Sequence, residues 1–181
     1  MSSDQLIEQC KKNDAQAQSQ LYKLYASKLF SVCLKYSRNY AEAEDNLQDA
    51  YLTIFKKIDQ YKSKGSFEGW LKRIAVNTAL QRYRSAGVFS IVNEDQIEDK
   101  AVEVNDDEDL SVDYLLSIIQ ELPDRYRLVF NLYALDDYSH KDIAEMLNIS
   151  TGTSKSNLAR ARLILKDKIK QYKASPNSQS I

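Results

Sequence analysis

Residues 88–109 carry 9 Asp/Glu against a single Lys, and no apolar face is sustained through them. The run Asn105-Asp106-Asp107-Glu108-Asp109 is wholly polar. Such a segment cannot bury enough apolar surface to offset the entropy of ordering it. One continuous core therefore cannot run through all 181 residues. The chain is expected to divide into an N-terminal helical domain over 1–87, a flexible acidic linker over 88–109, a C-terminal domain over 110–174 and a disordered tail over 175–181. Only 4 Gly and 2 Pro occur in the chain. Leu, Ile, Ala, Lys, Glu and Gln are abundant, which favours helix on both sides of the linker. The predicted fold class is all-α, two small helical bundles, with a helix-turn-helix in the second.

The apolar spacing sets out the helices in order. Leu6, Ile7 and Cys10 suggest a short first helix. Leu21, Tyr25, Leu29, Val32 and Cys33 share a face of a second, over 15–36. Leu47, Ala50, Tyr51, Ile54, Phe55 and Ile58 do so in a third, over 41–58. Lys62-Ser63-Lys64-Gly65-Ser66 then reads as a loop. A fourth helix follows through Phe67, Trp70, Leu71, Ile74, Ala75 and Thr78 to Arg84. Beyond the linker, Val112, Leu115, Leu116, Ile118 and Ile119 predict a helix that Pro123 ends. Asp124 is expected to cap its successor, in which Tyr126, Val129, Phe130 and Tyr133 pack.

The stretch from Asp137 to Arg162 carries the most specific local pattern. Ile143, Met146 and Leu147 fall on one face of a short helix, and Ala144 permits a close helix approach. Asn148 stands where a tight turn wants tolerance of positive φ, and Ser150 can cap the following helix. Leu158 and Ala161 would face inward. Lys155, Ser156, Ala159 and Arg160 line another face. This reads as a helix-turn-helix whose second helix suits the DNA major groove. Helix pairs with polar turns also occur in proteins that never touch DNA, so charge matters here. From Lys155 to Lys173 there are seven cations against Asp167 alone, more than a solvated face needs and suited to phosphate. The net charge of −1 conceals this, because 1–87 sums to +5, 88–109 to −8 and 110–181 to +2.

Two further constellations lie in the first block. Glu42, Asp45 and Asp49 share a helix face, open to three readings: a metal site, acids complementing a helix start, or an acidic docking face for a protein. A carboxylate di-metal bundle would need Glu-x-x-His pairs, and the only histidine of the chain is His140. No metal or other cofactor is expected. The fourth helix carries Lys72, Arg73, Asn77, Gln81, Arg82 and Arg84 alongside Trp70 and Tyr83, after a loop holding Tyr61, Lys62 and Lys64. Cations track phosphate, rings stack on bases, and an amide reads base edges, as opened nucleic acid requires. Trp70 and Phe67 are also plausible core residues. No nucleophile–histidine pairing, P-loop or dinucleotide fingerprint is present, so the chain does not read as an enzyme. Cys10 and Cys33 make no CxxC pair, which fits a reducing compartment. The N-terminus lacks a signal peptide's apolar core and no run of about 18 apolar residues occurs. A cytoplasmic protein without membrane insertion is expected.

Three motifs in this order resemble the extracytoplasmic-function sigma factors, promoter-recognition subunits of bacterial RNA polymerase. Ala43-Glu44-Asp45-Asn46-Leu47-Gln48-Asp49-Ala50-Tyr51 resembles their polymerase-docking helix. Gly65-Ser66-Phe67-Glu68-Gly69-Trp70-Leu71-Lys72-Arg73-Ile74-Ala75-Val76-Asn77-Thr78-Ala79 resembles their −10 segment. Glu121-Leu122-Pro123-Asp124-Arg125-Tyr126-Arg127, with the helix-turn-helix, resembles their −35 reader. The resemblance covers Leu21 to Ile169. It implies that the chain binds core polymerase, directs it to promoter DNA and assists opening. Glu44, Asp45, Leu47, Gln48 and Asp49 would dock on the clamp helices of the largest subunit. Tyr61, Lys62, Ser63, Lys64, Gly65 and Ser66 would capture a flipped base, with Arg73 and Asn77 helping to read the −10 element. Lys155, Ser156, Ala159 and Arg160 would face the −35 duplex, with Arg162 nearer phosphate. The acidic linker would thread toward the active-site cleft and RNA exit path. An anti-sigma factor or other recruiting protein is a further partner by analogy, though no residue proves one.

The chain departs from the family where its recognition helix usually reads Thr-Val-x-Ser-Arg. Here it reads Thr153-Ser154-Lys155-Ser156-Asn157. Ser154 is expected to loosen the lock between the two helices, and Asn157 to remove a phosphate-binding cation. Weak −35 reading and recruitment by another DNA-bound protein are the expected consequences. The alternative function is a helix-turn-helix regulator or adaptor that contacts DNA without opening promoters. Asn77 and the aromatics of the fourth helix argue against it, because a plain repressor has no use for a single-strand pocket.

Overall fold

The computed structural model describes residues 2–90 and 110–175. Eight α-helices and no strand occur among the described residues: α1 (Ser3–Lys11), α2 (Ala15–Lys35), α3 (Tyr40–Lys57), α4 (Phe67–Ser85), α5 (Val112–Gln120), α6 (Asp124–Phe130), α7 (His140–Leu147) and α8 (Thr151–Ala174). The chain divides into two compact units, Met1–Ala86 and Gly87–Ile181. Most of the expected linker, and all of the expected tail beyond Ser175, lies outside the described residues.

Short polar side chains set the helix starts. Ser2, Asp14, Asn39, Ser66, Ser111, Ser139 and Ser150 each accept a hydrogen bond from a first-turn amide, satisfying one of the donors left orphaned at a helix N-terminus. Ser2 with Gln5 and Ser139 with Asp142 close full capping boxes. The exception corrects an expectation. Pro123, not Asp124, occupies the N-cap of α6, and the Asp124 carboxylate instead accepts from Arg127 Nη2 at 2.9 Å. Proline supplies a fixed φ at the entrance, and the Tyr126 and Arg127 amides both donate to its carbonyl at 3.0 Å.

In the first unit α2, α3 and α4 pack around Leu21, Leu29, Cys33, Ala50, Ile54, Leu71, Ala75 and Leu80, all fully buried. Each such aliphatic side chain contributes about 1.5–3 kcal/mol by leaving water. α1 closes one end of this bundle against α2 and the 3-10 turn Ile58–Gln60. Both cysteines are free and buried, and burial pushes the Cys33 thiol up to about 12.

An ion-pair clip joins α2 to α4. Glu68 accepts from Lys28 Nζ at 2.7 Å and pairs with Lys72 Nζ at 2.8 Å. The Lys28 hydrogen bond, then the Lys72 one, holds its carboxyl down to about 2, against about 4.3 in an unfolded chain. Because the folded value is the lower one, this stabilisation is present above the unfolded value and is lost as pH falls toward 2. Glu68→Gln is expected to lower stability modestly at neutral pH and to leave it unchanged near pH 2, so that the decline between about pH 4 and 2 flattens. Urea titrations followed by fluorescence across that range check it.

In the second unit α5 lies on α8 through Ile118, Leu122, Ala161 and Leu165, flanked by Tyr126, Phe130 and Ile169. Tyr114 stacks on Tyr172 with centroids 4.0 Å apart and donates to the Lys168 carbonyl at 3.2 Å. α6 continues into a π-helical turn, Asn131–Leu135, that the sequence periodicity did not reveal. Leu128, Val129, Leu132, Ile143, Leu147 and Leu158 form the interior between α6, α7 and α8.

Candidate functional site

The acidic motif occupies α3 of the first unit. Glu44, Asp45, Gln48 and Asp49 are exposed along its outer face, at helical spacing that keeps them together. Leu47 points the other way and is buried, so it holds α3 on the bundle. Asn46 beside it is buried too, and is the one residue here for which the apolar spacing offered no role. Its Nδ2 donates to Ser37 Oγ at 2.8 Å, and Ser37 Oγ donates on to the Cys33 carbonyl at 2.7 Å. Its Oδ1 accepts from Arg82 Nε at 2.7 Å. The Arg82 guanidinium then reaches Asp49 at 3.5 Å and Asp45 at 4.0 Å. A polar chain thus ties α4 to α3 and α2, and it takes up two of the three carboxylates that might have read as a metal site. Among the described residues no cluster of three His, Cys, Asp or Glu could hold a metal.

The segment from Tyr61 to Ser66 forms a tight loop ahead of α4. Ser63 and Gly65 both adopt positive φ, +55° and +83°, the second in a region glycine enters without a Cβ penalty. Lys62, Ser63, Lys64, Gly65 and Ser66 are exposed, whereas Tyr61 is buried beneath them. Its hydroxyl donates to the Gly65 carbonyl at 2.9 Å, bracing the loop from inside. Its ring meets Phe67 at 4.9 Å and Trp70 at 5.5 Å, and Phe67 lies nearly parallel to Trp70 at 5.8 Å. The rings form one partly exposed cluster under the loop.

Further along α4, Arg73 is exposed, and Asn77 lines a groove of about 810 Å³ between α3 and α4. The Asn77 side-chain amide makes no hydrogen bond among the described residues. Glu42 and Asp49 line the opposite wall, with Thr78, Gln81, Arg82 and Arg84 beside Asn77. The α3 carboxylates and the α4 amide therefore open onto one groove.

In the second unit α7 and α8 meet at the expected turn. Asn148 adopts φ +55°, ψ +49°, and Ser150 accepts from the Thr153 amide at 3.0 Å. Lys155 is exposed and Arg160 and Arg162 are partly so, while Ser156 and Ala159 retain only 8% and 5% exposure. Arg162 lies 5.8 Å over the Tyr133 ring, and Tyr133 stacks on His140 at 4.6 Å.

Both departures from the recognition-helix pattern lie in the interior of the unit. Ser154 is buried and bonds His140 Nδ1 at 2.8 Å, so α7 and α8 are locked by a polar contact where an apolar one was thought to be missing. Asn157 is 0% exposed. That position faces the interior of the unit.

Residues 21–88 match the family described as sigma-70 region 2, and residues 113–165 match sigma-70, region 4. The ECF RNA polymerase sigma factor SigW of Bacillus subtilis is 32% identical over 178 residues, covering 91% of this chain and 95% of its own length. The chain belongs to the ECF sigma factors. The ECF sigma-E factor of Escherichia coli K12 is 28% identical over 91% of this chain and 92% of its own length. Among solved structures, the fold is shared with RpoE of Bartonella quintana, in complex with the anti-sigma factor NepR, at TM-score 0.52 and 23% identity over 84% of this chain and 96% of that one. It is also shared with CnrH, in complex with the cytosolic domain of CnrY, at TM-score 0.50 and 20% identity over 92% of this chain and 96% of that one. As a sigma factor the chain directs promoter recognition by RNA polymerase and is not itself a catalyst. No helix among the described residues is long and apolar enough to cross a membrane.

Proposed function

We propose that the ECF sigma factor divides its work among three surfaces. The outer face of α3, with Glu44, Asp45, Gln48 and Asp49, docks on basic clamp helices of the polymerase's largest subunit. The loop from Tyr61 to Ser66, with Arg73 and Asn77, captures and reads unpaired bases of the −10 element. The start of α8 reads the −35 duplex through exposed Lys155 and partly exposed Arg160 and Arg162, with Ser156 and Ala159, expected beside them, nearly buried beneath. Residues 1–87 thus serve docking and opening, 110–174 serve duplex recognition, and 88–109 links them in the cytoplasm.

The observation that carries this reading is the part-exposed Asn77 amide, without a hydrogen-bond partner among the described residues, in a groove shared with Glu42 and Asp49 of α3. An amide with free donors and an acceptor, beside cations and an aromatic cluster, has the groups that base-edge recognition requires. The test is run-off transcription by core polymerase on a genomic fragment library, with and without this protein. Discrete new starts are expected, and their upstream sequences define both elements. Asn77→Ala is expected to retain core binding yet reduce those starts about tenfold, since a base-edge contact supplies about 1–3 kcal/mol. Wild-type starts from Asn77→Ala would remove that residue from the reader. Failure of the unaltered protein to bind core would remove the α3 assignment.

A further inference from the structure

Two points of α8 are held from one place. Near the helix start, buried Ser154 bonds His140 Nδ1 of α7 at 2.8 Å. Farther along, the Arg162 guanidinium lies 5.8 Å from the centre of the Tyr133 ring, within reach of cation–π attraction. The two holds meet, because the Tyr133 ring stacks on the His140 imidazole with centroids 4.6 Å apart and planes 21° from parallel. From Ser154 to Arg162 the helix rises about 12 Å, and Lys155, Ser156, Ala159 and Arg160 all fall between these points. A helix held at two points more than two turns apart has its tilt and rotation fixed, where one point would leave both open. Tyr133 owes its place to the backbone. It is the middle residue of the π-helical turn Asn131–Leu135, closed by the Asp136 amide donating to the Asn131 carbonyl at 3.1 Å. Such turns are rare and recur at functional sites. Asn131 and Leu132 of the turn are buried, whereas Tyr133 is partly exposed. The interior of the unit is already filled by Leu128, Leu132, Ile143, Leu147 and Leu158, so the ring pair outside it orients more than it stabilises.

We propose that Tyr133 is a positioning residue for −35 recognition. With His140 it forms an aromatic clamp that sets the pose of α8 in the major groove and holds the Arg162 guanidinium against the adjoining phosphates. Arginine suits this double use, since its planar group stacks on a ring by its face and donates hydrogen bonds from its edge. Tyr133 itself touches no DNA: it acts through Arg162 directly, and through His140 and Ser154 on the start of the helix. The proposal rests on the reading of α8 as the −35 reader, and it adds two residues outside that surface.

The test titrates a labelled promoter fragment, chosen from the run-off starts, with core polymerase carrying the full chain, over a series of salt concentrations. Tyr133→Leu is expected to weaken binding about three- to tenfold and to lower the salt slope by about one, the loss of one phosphate contact. Tyr133 carries no charge, so a change of slope is a readout that loss of packing alone does not give. Tyr133→Phe keeps the ring and is expected to stay within about twofold of the unaltered protein, with its slope unchanged. Arg162→Gln is expected to lower the slope by the same amount as Tyr133→Leu, and the double variant to lower it no further. A slope unmoved by Tyr133→Leu, or losses that add in the double variant, would overturn the proposal. Should Tyr133→Leu reduce the protection of α8 amides from hydrogen exchange, Arg162→Lys decides, because it keeps the charge and loses the planar contact. A slope as low as that of Arg162→Gln then supports the clamp, and the unaltered slope overturns it. The −35 reading itself fails differently, as binding by the unaltered protein that is indifferent to replacement of the −35 element.

Discussion

Asn46→Ala is expected to destabilise the first unit by about 2–3 kcal/mol, moving its urea midpoint down by about 1–2 M. Asn46 is fully buried and serves three helices at once, donating to Ser37 from α3 and accepting from Arg82 on α4. Ser37 in turn reaches the Cys33 carbonyl on α2. A hydrogen bond to a charged partner contributes about 1.5–3 kcal/mol and a neutral one about 1. The full sum does not appear, because Ser37 keeps its bond to Cys33 and the half-exposed guanidinium regains water. Asn46→Leu is expected to be milder, since it fills the cavity that alanine leaves. Asn46→Asp keeps the acceptor for Arg82 but loses the donor to Ser37, so it is expected to fall between them at neutral pH. Trp70 is the only tryptophan and belongs to the first unit, so its fluorescence reports this transition alone. A midpoint unmoved by alanine would show that the polar chain does no structural work.

How legible this was depended on which physical signal each residue carries. Helix identity came from apolar spacing and cap chemistry, both local, and so Leu21, Leu29, Ile54, Leu71, Ile143 and Leu158 were legible as core. Asn148 and Ser150 were legible for the same reason, because a left-handed turn and a helix start each favour few side chains. Polar residues at inward positions were not legible. Asn46 and Asn157 lie on the buried faces of α3 and α8, where a pattern that scores polar as outward assigns them to the surface or to nothing. Ser154 was placed at the contact between α7 and α8 but without a partner. Their partners are distant in the chain: Ser37 and Arg82 for Asn46, His140 for Ser154. Arg82 shows the same limit from the other side. Its charge suggested nucleic acid, while its actual hold on Asp45 and Asp49 depends on how α3 and α4 cross. The π-helical turn after Phe130 has no periodicity of its own to betray it.

Asn157→Leu is expected to stabilise the second unit by about 1 kcal/mol, the relief of an unsatisfied amide less the cost of a larger side chain. Asn157 is 0% exposed, and neither its Oδ1 nor its Nδ2 has a hydrogen-bond partner among the described residues. A buried polar group left unsatisfied forfeits its hydration without return, at about 1–3 kcal/mol. Leucine branches at Cγ as asparagine does and has no such loss, but its larger volume takes back part of the gain through overpacking. Asn157→Asp should move the other way and further, since it buries an unpaired charge beside the same apolar neighbours. The readout has to be specific to the second unit. Trp70 fluorescence is expected not to move, while the helical dichroism and the protection of α8 amides from hydrogen exchange shift to higher denaturant. Unchanged protection in α8 would mean that Asn157 finds a partner in solution, and the interior position would then serve a polar contact. Stabilisation together with undiminished binding of a −35 duplex is the outcome that places this residue wholly in the interior, and with it leaves the −35 surface to Lys155, Arg160 and their neighbours on the outer side of α8.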